Sequence, residues 1–187
     1  MTSPPTPGQT VGPFFAFGLE YAGDSALVPP GSPGGIRLHG RVLDGAGEPV
    51  PDALVELWQA DADGLVVQRS GSLRRDGYTF TGWGRAATDR TGTYSFTTVT
   101  PGALRPGATQ YGDPPFFALT VFARGLLDRL FTRAYLPGHP HDRLLASLPD
   151  DRRSTLVADA DDHGFVFDIR LQGDGETVFL SHSGTQD

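Results

Sequence analysis

The chain has 187 residues, a net charge of −7, 38% hydrophobic residues and no cysteine. This composition indicates a globular protein with one sizeable domain, and it excludes disulfides, thiolate metal sites and a cysteine nucleophile. We find no basic stripe, no membrane-spanning apolar run and no secretion signal, so we expect a cytoplasmic protein without nucleic-acid or membrane partners.

Residues 1–35 are rich in proline and glycine and predict an irregular N-terminal arm of the kind that contacts another subunit. Residues 36–187 form the predicted domain, in which short runs alternate between apolar and polar residues. In chain order these runs are Ile36–Asp44, Ala53–Asp61, Gly92–Val99, Phe116–Gly125, Arg129–Leu136, Phe165–Gly173 and Glu176–His182. About seven short strands predict a mainly β protein, an antiparallel β-sandwich.

Two segments interrupt the strand pattern. Residues 61–81 have no clear periodicity and predict a long loop. Residues 141–158 carry leucines at helical spacing, with Asp142 placed to cap a helix and Pro149 placed to break it. We therefore expect a short helical insert before the last strands.

Possible metal ligands occur in two places. His139 and His141 are one residue apart, but they lie in a Pro/Gly turn, where exposed loop histidines are the common case. Asp159, Asp161 and Asp162 lack the ligand spacing of a calcium loop, so a solvated acidic turn is the simpler interpretation. The five tyrosines are typical of packing in a β-sandwich, although phenolates can bind ferric iron. From residues alone, no convincing metal site follows.

Several longer motifs point to one family. The segments "TPGQTVGPFFAFGL", "GRVLDGAGEPVPDALVELWQADADG", "GWGRAATDRTGTYSFTTVTPG", "FFALTVFARGLLDRLFTRAYLPG" and "FDIRLQGDGETVFL" occur in this order over residues 6–180. Together they resemble the intradiol ring-cleavage dioxygenases. The resemblance implies a β-sandwich and the insertion of oxygen between the two hydroxyl-bearing carbons of a catechol.

In that family a non-haem ferric ion is held by two tyrosines and two histidines, and some members pair an iron-bearing β subunit with a related α subunit without iron. Carried onto this chain, the four ligand positions are Val66, Leu104, Phe116 and Ala118. None of these side chains can bind iron. The resemblance therefore implies no metal and no catalytic residue in this chain, Fe(III) in a partner β subunit, and a former metal face filled as a small apolar core.

The resemblance also implies a substrate-binding contribution to a site shared with the β subunit. It maps to Thr10, Gly12, Pro13, Phe14 and Arg124. An arginine suits an anionic aromatic acid because its guanidinium can bind a carboxylate through two parallel hydrogen bonds. The alternative is that the arginine forms an inter-subunit salt bridge or lies at an exposed strand end. At position 14 phenylalanine replaces the family's tyrosine, so a packing role is expected there.

The function implied is that of an α-type subunit of a hetero-oligomer that cleaves protocatechuate with O₂ to 3-carboxy-cis,cis-muconate in aromatic catabolism. One alternative is a self-sufficient intradiol dioxygenase with displaced ligands, for which Tyr78, Tyr111, His139 and His141 are available. Another is a non-enzymatic β-sandwich binding module.

Overall fold

A computed structural model describes residues 10–12, 14–67, 76, 78–105, 113–139 and 142–181. The helices are α1 (Phe15–Leu19), α2 (Arg143–Ser147) and α3 (Asp150–Ser154). The strands are β1 (Gly35–Leu43), β2 (Leu54–Trp58), β3 (Trp83–Ala87), β4 (Thr93–Val99), β5 (Phe116–Phe122), β6 (Leu130–Tyr135), β7 (Asp159–Asp161), β8 (Gly164–Val166) and β9 (Ile169–Arg170). No helix within these ranges is long and apolar enough to cross a membrane.

The strands form two sheets, which confirms the predicted sandwich. The first sheet has the order β4-β1-β8-β7 with β9 also paired to β1, and the second has the order β3-β2-β5-β6. Within the described residues β1 pairs in parallel with β8 and β9, and the other strand pairs are antiparallel. The core between the sheets includes Leu38, Phe96, Leu57 and Phe117, all fully buried.

The predicted strand over Phe165–Gly173 is divided into β8 and β9. At the break, the N–H of Arg41 in β1 donates to the Asp168 carboxylate at 2.8 Å, so a side chain replaces a backbone partner of the sheet. The hydroxyl of Tyr94 donates to the Phe167 carbonyl at 2.6 Å and holds the same point from inside the core. Burial, and then the nearby charge of Asp168, raise the pKa of this tyrosine well above its usual value.

The helical insert forms as two short helices separated at Pro149, as predicted. Asp142 caps α2 by accepting a hydrogen bond from the Leu145 N–H at 2.8 Å. The side chain of Leu145 packs with Tyr135 and Leu156 in a second, smaller core. The insert is therefore anchored against the end of β6.

Three elements were not predicted from the sequence: α1, β3 and β7. In β3, Trp83, Arg85 and Ala87 pair with β2, but the sequence "GWGRAATD" consists mostly of small and polar residues and carries little apolar periodicity. The predicted strand Glu176–His182 does not form within residues 176–181, although the Thr177 N–H still donates to the Arg170 carbonyl at 3.0 Å. His182 lies outside the described residues.

Candidate functional site

The outer face of the second sheet carries both groups of candidate residues. In β5 the odd-numbered residues point into the core, so Phe116, Ala118 and Phe122 face outward and are half-buried. Ala118 lies beside Trp58 on one neighbouring strand and Arg133 on the other. This face has two ends, which we call the pocket end, around residues 116–118, and the arm end, around residues 122–125.

At the pocket end, the four positions mapped from the iron ligands lie around a single cavity of about 410 Å³. Val66, Leu104, Phe116 and Ala118 line this cavity with the indole of Trp58. The expectation of a filled apolar core is corrected here: the residues converge, but they leave a cavity. Val66 is 52% exposed, because short side chains at positions 66 and 118 do not reach across the space.

Two loops from the motifs build the walls of this cavity. The Asp61 carboxylate accepts hydrogen bonds from the N–H groups of Asp63 (3.0 Å) and Leu65 (2.9 Å), which closes the turn before Val66. The Asp61 carbonyl accepts from the N–H of Gly102 at 2.8 Å and so joins this turn to the loop before Leu104. The two loops form one hydrogen-bonded frame.

Glycine is required where the two loops meet. Gly64 has a φ of +76°, and a Cβ there would overlap the carbonyl oxygen of Ala103. A Cβ at Gly102 would lie 2.5 Å from the carbonyl oxygen of Ala62. The motifs "ADADG" and "TPG" therefore each end in the glycine that lets the backbones of the two loops approach each other closely.

Gln59 fixes the floor of the cavity. Its amide nitrogen donates to the carbonyls of Ala60 (3.0 Å) and Val99 (2.9 Å), and its amide oxygen accepts from the Thr98 hydroxyl at 2.6 Å. Sequence reasoning missed this residue. The sequence feature that could have indicated Gln59 is its position in "ELWQADADG", where a polar side chain directly follows a buried strand.

A charged cluster lies behind Phe116. The Arg133 guanidinium carbon lies 4.1 Å from the centroid of the Phe116 ring, and its nitrogen donates to the Tyr135 hydroxyl at 3.0 Å. That hydroxyl donates to the Asp142 carboxylate at 2.6 Å. Burial, followed by the hydrogen bond to Asp142, raises the pKa of Tyr135, so its hydroxyl remains protonated. Arg133 also lies 3.5 Å from the carboxylate of Asp113.

At the arm end, the N-terminal segment packs on the sheet. The Phe15 ring lies 5.5 Å from the Phe122 ring, and an Arg85 nitrogen donates to the Leu19 carbonyl at 3.0 Å. The N–H of Gly125 donates to the Thr10 hydroxyl at 2.8 Å. This hydrogen bond holds Thr10 next to Arg124, so two candidate residues that are far apart in the sequence lie close together in the structure.

The remaining arm-end candidates are exposed or not described. Phe14 is 78% exposed and Gly12 is exposed, whereas Pro13 lies outside the described residues. Arg124 forms an ion pair with Asp52 of the same chain, and its side chain remains 55% exposed. The arginine is therefore at an exposed strand end and anchored by its own chain.

The arm-end candidates are remote from this chain's own cavity. Arg124 lies two residues beyond the end of β5, and Phe122 at that end is four residues, about 13 Å at about 3.3 Å per residue, from Ala118. No rotamer of an arginine side chain spans that distance. The structure brings Thr10 and Arg124 together, and it brings the four mapped ligand positions together, but it keeps the two groups apart.

The other candidate metal ligands do not converge. The described residues contain no group of three or more His, Cys, Asp or Glu side chains arranged to hold a metal ion. Tyr78 is 95% exposed, His139 is exposed, and Tyr111 and His141 lie outside the described residues. Asp161 accepts a hydrogen bond from His39 at 2.8 Å, which, with backbone N–H donors, lowers its pKa.

Comparison with known proteins gives matches over nearly the whole chain. A family profile described as Dioxygenase matches residues 10–173. The protocatechuate 3,4-dioxygenase alpha chain of Burkholderia cepacia is 34% identical over 194 residues, covering 94% of this chain and 96% of the relative. That of Pseudomonas putida is 37% identical over 200 residues, covering 95% and 96%.

A beta chain and a solved structure extend these matches. The protocatechuate 3,4-dioxygenase beta chain of Burkholderia cepacia is 35% identical over 176 residues, covering 83% of this chain and 72% of the relative. The dioxygenase domain of a dioxygenase and carbohydrate-binding fusion protein from Streptomyces sp. SirexAA-E superposes with a TM-score of 0.58. It is 27% identical, and the match covers 91% of this chain and 99% of that domain.

Proposed function

The chain belongs to the intradiol ring-cleavage dioxygenase family, and we propose that it is the iron-free alpha subunit of a protocatechuate 3,4-dioxygenase. One observation carries the proposal. The positions mapped from the family's iron ligands surround one cavity, and the side chains there, Val66, Leu104, Phe116 and Ala118, offer no nitrogen, oxygen or sulfur donor. Ferric iron does not fit this donor set, and we derive no step through a metal in this chain.

The proposal assigns Fe(III) and the oxygen chemistry to a beta-type partner subunit. Its support is the names of the relatives, an alpha chain and a beta chain of one kind of enzyme. With this partner, the assembly converts protocatechuate and O₂ to 3-carboxy-cis,cis-muconate. The absence of cysteine is compatible with a cytoplasmic location for such an enzyme.

This chain's own contribution is placed at the arm end. The Nε of Arg124 is paired with Asp52 and more than half of the Arg124 side chain is exposed, so the guanidinium can offer its other N–H groups to the carboxylate of an aromatic acid. Because it lies beyond the end of β5 that is remote from the cavity of its own chain, we assign it to a site of a neighbouring subunit. Thr10 and Gly12 line the approach, and the exposed ring of Phe14 packs against the partner.

Co-expression of this chain with a beta-type subunit tests the proposal. We expect the two to co-purify, iron to be present at one ion per pair, and protocatechuate cleavage to require both chains. The chain purified alone is expected to lack iron and activity. Iron with a tyrosinate charge-transfer colour in the isolated chain would instead support the self-sufficient enzyme, and failure to co-purify with any dioxygenase subunit would support a non-enzymatic binding module.

A further inference from the structure

The apolar cavity at the pocket end is a ligand site in its own right. We propose that it binds an uncharged aromatic hydrocarbon of one or two rings, and not the aromatic carboxylate assigned to the arm end. This inference rests on the cavity alone and does not depend on the proposed function. The size of the cavity, its chemistry and its rigidity each support it.

The size suits a small ring system. The cavity measures about 410 Å³, within the range of roughly 300–1,000 Å³ that is typical of small-molecule sites. An engineered apolar cavity of about 150 Å³ in another protein takes up benzene. A space more than twice as large accommodates two fused rings.

The chemistry of the walls selects against charge. Aromatic surface comes from Trp58 and Phe116, and aliphatic surface from Val66, Leu104 and Ala118. Two side chains of the lining carry polar groups: the amide of Gln59, whose nitrogen and oxygen are already engaged with protein partners, and the indole N–H of Trp58. A carboxylate against these walls would give up part of its hydration, and the indole N–H of Trp58 is the side-chain donor of the lining that it could gain in return, so an uncharged ligand is favoured.

The cavity is also preformed. The loops before Val66 and Leu104 are joined by the hydrogen bond from the Gly102 N–H to the Asp61 carbonyl. The opposite wall belongs to β2 and β5, which are paired in register from Leu54–Phe122 to Trp58–Ala118. Because this frame is hydrogen-bonded through its backbone, the walls do not collapse when the cavity is empty, and a ligand does not have to order them.

Titration of the full chain with naphthalene, followed by calorimetry and by tryptophan fluorescence, tests the proposal. We expect saturable binding of one naphthalene per chain and quenching of Trp58, whose indole lines the cavity. The charged analogue 2-naphthoate is expected to bind at least tenfold more weakly. The same titration of the complex with the beta-type subunit should add one site for each copy of this chain.

Two cavity-filling variants and one matched control locate the site. Ala118→Leu fills the space from the strand, and Val66→Phe fills it from an exposed loop position where folding is least at risk. Each should weaken naphthalene binding at least tenfold. Ala146→Leu makes the same alanine-to-leucine change at an exposed position of α2 and should leave naphthalene binding unchanged.

Four results would overturn the proposal. They are no binding of naphthalene up to its aqueous solubility, equal binding by the filled variants, equal binding of 2-naphthoate, and binding to the isolated chain that disappears in the complex. The last result would indicate that the partner subunit, and not a small molecule, occupies the cavity in the complex.

Discussion

The two ends of the outer face are built from the same strands but differ in what they offer to a ligand. At the pocket end, the walls are apolar and the polar groups nearby, Gln59 and Arg133, are engaged within the chain. At the arm end, Arg124 and the ring of Phe14 project into solvent. The pocket end thus offers mainly apolar surface, and the arm end offers an exposed guanidinium and an exposed ring.

This difference agrees with the proposal that the chain contributes to an enzyme without holding a reaction centre of its own. The backbone frame that positions residues 66 and 104 is intact, so the fold still brings the four mapped positions together. The side chains at those positions provide no atom that binds a metal. The residues proposed to serve catalysis lie where a neighbouring chain can reach them.

The largest effect is expected from Gly64→Ala, which breaks the frame of the pocket end. The left-handed backbone costs about 1 kcal/mol for a non-glycine residue, and overlap with the Ala103 carbonyl adds to it. We expect the free energy of unfolding to fall by about 2–4 kcal/mol, measured by chemical denaturation. Gly125→Ala is the matched control at the arm end, because its φ is +88° but its Cβ meets open space; its loss should be about 1 kcal/mol. Equal losses would contradict the steric account.

Tyr135→Phe tests the cluster behind Phe116. It removes the hydroxyl that donates to Asp142 and accepts from Arg133, and the unfolding free energy should fall by about 1–3 kcal/mol. The raised pKa of Tyr135 predicts a pH dependence, because the folded state then binds a proton that the unfolded state releases. Stability should therefore decline as the pH rises above about 10, and less steeply in the variant than in the native chain. An unchanged alkaline slope would mean that this tyrosine does not contribute.

The smallest effect is expected from Thr10→Val at the arm end. The variant loses the hydroxyl that accepts from the Gly125 N–H, an exposed hydrogen bond worth about 0.5 kcal/mol. In the assembled enzyme we expect KM for protocatechuate to rise two- to threefold because the arm beside Arg124 is held less firmly. Thr10→Ser keeps the hydroxyl and should behave as the native chain. A loss of iron from the complex would show that Thr10 acts elsewhere.

Much of the fold was predictable because its strands alternate. In β5 the alternating apolar residues Phe117, Leu119 and Val121 predict its buried face. In the helical insert, Asp142 predicts the start of a helix and Pro149 predicts a break. The strand β3 was not predictable, since its buried positions include Gly84 and Ala86, which are too small to produce a clear apolar pattern. The break between β8 and β9 depends on one side-chain hydrogen bond from a distant strand, which no local pattern carries.

The convergence of the four mapped positions was predictable, but the shape that they form was not. The family resemblance mapped Val66, Leu104, Phe116 and Ala118 to one set of ligand positions, and all four line one cavity; their former role as ligand positions stays a prediction. That they leave a cavity depends on the rigid loops at Gly64 and Gly102 and on the reach of each side chain. The pairing of Arg124 with Asp52 joins residues 72 positions apart in the chain, and only the tertiary fold reveals it.

The most direct test of the central claim compares Arg124→Ala with Ala118→Leu in the assembled enzyme, by steady-state kinetics with protocatechuate. Loss of a guanidinium that binds the substrate carboxylate should raise KM about tenfold or more while kcat changes little. Filling the cavity should leave both constants unchanged, because this cavity performs no chemistry. Unchanged kinetics for Arg124→Ala, together with a loss of activity for Ala118→Leu, would contradict the assignment of substrate binding to the arm end.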